Sequence, residues 1–186
     1  MNEDAVLGEI RLWAGSFLPT GWLYCDGSVL PITPSGKSQD PLYAVLKSQF
    51  GGDGVKTFAL PKLADVVLPK GSLRYTINRN GPAAAAGLAG LLTEVRIFTS
   101  APPSTYVECL GQLMVLSNQA ALFSLLQANY GGDGIHNFGL PHLPALTAVH
   151  GPAINYSICI NGTFPEDGGT FQGYVGSVRN YAGSVY

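Results

Sequence analysis

The chain has 186 residues, 46% of them apolar and only 12% charged, with a net charge of −2. The charged fraction is about half of the roughly 25% usual in soluble domains, and the lack of a basic cluster argues against nucleic acid and anionic membranes as partners. No stretch is long enough to span a membrane, and residues 1–6 offer neither the basic nor the apolar region of an ordinary signal peptide.

Residues 8–13 alternate and contain Ile10, Leu12 and Trp13, which predicts a strand. A turn at Leu18 to Trp22 leads into a second strand, Trp22 to Cys25, closed by Asp26-Gly27. Asp-Gly marks a tight turn because glycine accepts positive φ. Val29 to Ile32 reads as a short extended piece and 33–41 as a loop. A helix is predicted over 41–50, with Asp40 as cap, Pro41 in its first turn, and Leu42, Val45 and Leu46 on its inner face. Gly51-Gly52 ends it, as left-handed glycines end helices. Phe58 to Leu60 follows as an extended segment stopped by Pro61.

The same order then returns. Tyr130-Gly131-Gly132-Asp133-Gly134 repeats Phe50-Gly51-Gly52-Asp53-Gly54, and Phe138-Gly139-Leu140-Pro141 repeats Phe58-Ala59-Leu60-Pro61, both eighty residues later. Glu94 to Phe98 answers Glu9 to Trp13, and Tyr156-Ser157-Ile158 answers Tyr75-Thr76-Ile77. A second helix is predicted over 120–130, capped by Ser117-Asn118, with Leu122, Leu125 and Leu126 inward. Two copies with one order of elements predict two subdomains related by a pseudo-twofold. At roughly 75–90 residues each copy is near the lower limit for its own core, so a shared core is expected. The fold class is therefore α+β, mainly β. Its parts are 1–81, an Ala/Gly linker at 82–92, a second copy at 93–165, and an extended arm at 166–186.

The charges are uneven. Beyond Arg96 only Arg179 is basic, and the acids are Glu108, Asp133, Glu166 and Asp167. The arm carries a small repeat of its own, Tyr174-Val175-Gly176-Ser177-Val178 and Tyr181-Ala182-Gly183-Ser184-Val185. Phe171, Tyr174, Val175, Val178, Tyr181, Val185 and Tyr186 would expose apolar surface unless a partner covered them. The expected cover is a neighbouring copy's sheet, joined by strand addition. The competing arrangement is an internal hairpin of 174–178 against 181–185, turning at Arg179-Asn180.

No reaction centre stands out. The turns Gly51, Gly52, Asp53, Gly54 and Gly131, Gly132, Asp133, Gly134 follow a helix rather than precede one, the reverse of a phosphate loop. Each offers one carboxylate, which is few for calcium, and reads more simply as a turn with Asp bonded to backbone N–H groups. His136, His142 and His150 lack the spacing of a helical zinc pair and read as exposed loop residues. Cys25 and Cys109 are equivalent, whereas Cys159 matches Asn78. Three buried thiols and a Cys109–Cys159 bridge both remain open, and no base stands beside a cysteine to make it a nucleophile. Trp13, Trp22, Phe58, Phe138 and Tyr130 suit core packing, with sugar stacking as the alternative. No metal or cofactor is expected.

The ordered series Gly8-Glu9-Ile10-Arg11-Leu12-Trp13-Ala14-Gly15, Pro19, Gly21-Trp22, Cys25-Asp26-Gly27, Leu30-Pro31-Ile32, Gly51-Gly52-Asp53-Gly54 and Thr57-Phe58-Ala59-Leu60-Pro61 resembles the phage tail collar domain, as in microcystin-dependent proteins of bacteria. The second copy departs from the pattern at Ser104 to Gly111 and follows it from Asn118 to Pro141. Asn155 to Pro165 resembles the segment near which family members close. The resemblance implies a structural subunit and no enzyme, located in a virion tail or on a bacterial surface. The partner it implies is the chain itself, in a filament. The alternative is an adhesin at a fibre tip that binds a receptor or a cell-surface glycan.

Overall fold

The computed structural model describes residues 5–14, 18–33, 39–69, 71–83 and 90–164, and the backbone of 177, 178, 180 and 181. Strands β1 (Glu9–Trp13), β2 (Trp22–Tyr24), β3 (Val29–Pro31), helix α1 (Pro41–Leu46), β4 (Thr57–Ala59), β5 (Val66–Leu68) and β6 (Gly71–Asn78) make the first copy. The second holds β7 (Glu94–Phe98), β8 (Tyr106–Glu108), β9 (Leu113–Val115), α2 (Ala120–Leu126), β10 (Asn137–Gly139) and β11 (Tyr156–Cys159). Two short strands, β12 (Ser177–Val178) and β13 (Asn180–Tyr181), follow.

The main sheet runs β2-β6-β1-β7-β11-β8. That order is the same read from either end once copies are exchanged, since β2 answers β8, β6 answers β11 and β1 answers β7. The pseudo-twofold passes between β1 and β7, which pair antiparallel through Glu9↔Phe98 and Ile10↔Ile97. Each copy also has its own small hairpin, β3–β4 and β9–β10.

Matching hydrogen bonds show that the copies fold alike. Leu60 N–H donates to Ser28 O and Leu140 N–H to Gln112 O, both at 3.0 Å. Cys25 N–H bonds Tyr75 O at 2.9 Å, and Cys109 N–H bonds Tyr156 O at 2.7 Å. Even the bridge Leu146↔Ile154 stands where β5 pairs β6 at Val66↔Leu73.

One core lies under α1 around Leu42, Leu46, Phe58, Leu60 and Ile77, and a second under α2 around Leu122, Leu126, Phe138, Leu140 and Ile158. They meet rather than stand apart. Ile97, Ala148 and Ile154 of the second copy belong to the first core, and Tyr156 packs against both. The pieces expected to be linker extend this: Leu92 is buried and hydrogen-bonds through its N–H to Thr163 O at 2.9 Å, as Leu7 N–H does to Pro82 O at 2.7 Å.

Both helices are shorter than their sequence patterns. They end at Lys47 and Gln127, each with φ 51°, rather than at the glycines. The N–H of each bonds the carbonyl of Tyr43 or Phe123, and a separate turn then leads to Gly51 or Gly131. The caps also differ. Asp40 accepts from Leu42 N–H at 3.0 Å as expected. Ser117 and Asn118 do not cap α2; they lie in a 3-10 turn over Leu116–Asn118, and Gln119 takes the cap position with no side-chain bond. The carbonyl of Leu116 receives Gln119 N–H at 3.0 Å, so the 3-10 turn runs directly into α2.

Candidate functional site

The Gly-Gly-Asp-Gly turns are built twice from one set of bonds. Asp53 Oδ1 accepts from the N–H groups of Val55, Lys56 and Thr57 at 2.7–2.9 Å. Asp133 Oδ1 accepts from Ile135, His136 and Asn137 over the same range. The backbone N–H of the fourth residue on, Thr57 or Asn137, contributes most, and together these donors hold both acids below the ordinary carboxylate range. Gly52 and Gly132, at φ 88° and 89°, come so close to the next strand that a Cβ would meet Phe58 or Phe138 Cα at 2.5 Å. Each carboxylate is thus engaged by its own turn. Gly51, Gly54, Gly131 and Gly134 share the positive φ of these turns.

The other polar candidates are scattered. His136 Nδ1 lies 3.2 Å from Asp133 Oδ2, His142 bridges Leu110 through its backbone, and all three histidines are exposed. Among the described residues, no three His, Cys, Asp or Glu side chains gather. Cys25, Cys109 and Cys159 are free and buried. Burial pushes all three thiols up, Cys109 to about 12, which suppresses the thiolate needed for nucleophilic attack. Trp13, Trp22, Phe58 and Phe138 are buried; only Tyr130 of the aromatic candidates reaches the surface.

The densest polar arrangement is on the seam between copies. Glu9, Arg11, Glu94 and Arg96 are all buried there. Arg11 Nε donates to Glu9 Oε1 at 2.6 Å, and Arg96 Nη2 donates to Glu94 Oε2 at 3.0 Å. Arg96 Nη1 also lies 3.5 Å from Glu9 Oε2, which ties one copy to the other. Each glutamate takes the N–H of the residue three before it, Val6 at 3.1 Å and Leu91 at 3.4 Å. Each arginine sits near the equivalent ring, Arg11 5.4 Å from the Trp22 centroid and Arg96 5.7 Å from that of Tyr106. Burial works against a charged Arg96, but Glu9 and Glu94 outweigh it and hold its pKa above the ordinary value. In the sequence this Glu-x-Arg pair reads as part of the repeat; its signal is two charges recurring in an otherwise apolar strand.

Beyond Ile10↔Ile97 the two strands part, and the C-terminal segment enters. Leu12 pairs with Val178 and Trp13 with Ser177, while Val95 pairs with Asn180 and Glu94 with Tyr181. Both pairings are antiparallel. Because β1 and β7 are themselves antiparallel, the segment reverses between Val178 and Asn180. The structure thus places these strands against the chain's own sheet; residues 174–176 and 182–185 of the hairpin considered above lie outside the described residues. Of the expected self-association residues, Phe171, Tyr174, Val175, Val185 and Tyr186 lie outside the described residues. Val178 and Tyr181 are described through their backbone alone.

Two segments, 8–68 and 94–148, match the family model of the Phage Tail Collar Domain. No curated protein and no solved structure matches the chain. No helix among the described residues is long and apolar enough to cross a membrane.

Proposed function

Because the chain belongs to the Phage Tail Collar Domain family, matched over both of its copies, we propose that it is a structural subunit of a phage-tail-like or bacterial extracellular fibre. It works by self-association and not by catalysis. The observation that carries this reading is the duplication itself: what recurs is glycine turns, helices and core aromatics, which build a scaffold twice. The poverty of charge beyond Arg96 supports it, since the core of an interface is depleted of charge. The burial of Trp13, Trp22, Phe58 and Phe138 leaves few aromatic faces for sugars, which weighs against a glycan-binding tip.

Negative-stain microscopy of the purified chain tests the proposal. Fibres many molecules long are expected, and they should be missing when residues 167–186 are deleted. A full chain that stays monomeric at every concentration would end this reading, and binding on a glycan array would favour the adhesin.

A further inference from the structure

We propose that the gap between Leu12–Trp13 and Glu94–Val95 is an acceptor for residues 177–181 of a second copy of this chain. The proposal rests on the self-assembling reading above and names the site at which assembly takes place.

The gap is built into the two strands. Continuing the β1–β7 register past Ile10↔Ile97 would set Arg11 directly opposite Arg96. Like charges in directly opposed positions destabilise a sheet, and both arginines are buried. Nη1 and Nη2 of Arg11 already find no hydrogen-bond partner, so a tighter approach of Arg96 would add repulsion without adding an acceptor. The strands therefore part where the arginines meet.

Parting opens the gap-facing edges of 12–13 and 94–95, whose buried backbone groups take up partners there; the Glu94 N–H is already bonded to Leu91 O at 3.0 Å. Residues 177, 178, 180 and 181 supply those partners in the structure. Ladder pairing is between backbones, so a second copy can supply the same segment with the same register.

The connection is long for the in-chain job alone. Thr163 is bridged to Leu91, three residues before Glu94, and Ser177 lies opposite Trp13 across the same gap. Both ends of residues 165–176 are thus anchored at one seam. Those residues, fully extended, reach about 40 Å, enough to enter the seam of a neighbour lying alongside. Exchange of an identical element keeps every contact and joins two chains, and a one-way exchange leaves an open acceptor at one end for the next.

The test uses paired cysteines in the full chain. Val95→Cys and Asn180→Cys stand opposite in the ladder, as do Leu12→Cys and Val178→Cys. The native thiols are buried and suppressed, so the introduced pair should dominate. Single variants V95C and N180C are mixed, oxidised and run without reductant, and the mixture is expected to give a disulfide-linked dimer that neither variant gives alone. The V95C/N180C double variant should give a ladder of linked chains. A mixture that stays monomeric while the double variant closes within one chain overturns the proposal, as does the absence of any disulfide in folded samples of both pairs. Fibres without the linkage would sink the acceptor and leave the fibre reading standing. Linked dimers that never lengthen would keep the exchange and end the fibre reading.

Discussion

The hydroxyls of Tyr75 and Tyr156 meet at 3.3 Å, although each residue is the counterpart of the other in its own copy. Burial first, and then the neighbouring hydroxyl, raises the pKa of Tyr75, which keeps its own hydroxyl protonated at ordinary pH. A residue touching its own equivalent lies on the pseudo-twofold, and this contact ties the two cores to each other.

Tyr75→Phe and Tyr156→Phe should therefore each cost about 0.5–1.5 kcal/mol, the usual worth of one hydrogen bond. The double variant should cost clearly less than the sum, because the first change already removes the contact. Urea unfolding of the four-member cycle checks this; strict additivity would show that the hydroxyls do not interact.

Leu46→Ala and Leu126→Ala should each cost about 2–5 kcal/mol, since both side chains are fully buried under their helices. Gly52→Val and Gly132→Val should be at least as damaging, because both the positive φ and the approach to the next strand forbid a Cβ. Thermal melts unchanged in any of the four would contradict the core described above.

Glu9 serves Arg11, Arg96 and the Val6 N–H together. Glu9→Gln should cost about 3–5 kcal/mol, the usual penalty for leaving buried charge without its partner. Arg11→Met should cost much less, because Glu9 keeps Arg96 and the Val6 N–H. Equal losses in denaturant melts would mean that the cluster does not act as a network.

Asp53 and Asp133 have folded-state pKa values below those of the unfolded chain. Their contribution is thus present in full above the ordinary carboxylate pKa, near about 4, and is lost as pH falls toward the folded values. Asn at both positions should flatten this acid limb, lowering stability at neutral pH and changing it least at the acid end. Melting temperature against pH, from 7 down to about 2, measures it; an unchanged acid limb in the double variant would assign the acid sensitivity to other groups.

Much of this was legible in the chain because glycine, proline and aspartate act locally. Gly52, Gly132, Asp40 and the Phe-x-Leu-Pro segments mark their own turns and edges. What could not be read depends on distant partners. The long strand Gly71–Asn78 has exposed residues at one end and buried ones at the other, so no single period marks it. The helix ends at Lys47 and Gln127 use a backbone conformation that those residue types do not advertise. The seam was hidden too, because the charges of Glu9 and Arg11 make sense only once Glu94 and Arg96 are brought beside them.

A true twofold would give the molecule two identical ends, and a row of such molecules would have no direction. Fusing the copies into one chain has let them diverge. Asp26, Lys47, Lys56 and Lys62 in one copy stand where Leu110, Gln127, His136 and His142 stand in the other. The two copies therefore differ in charge, and any assembly of these chains in a common orientation has a head and a tail.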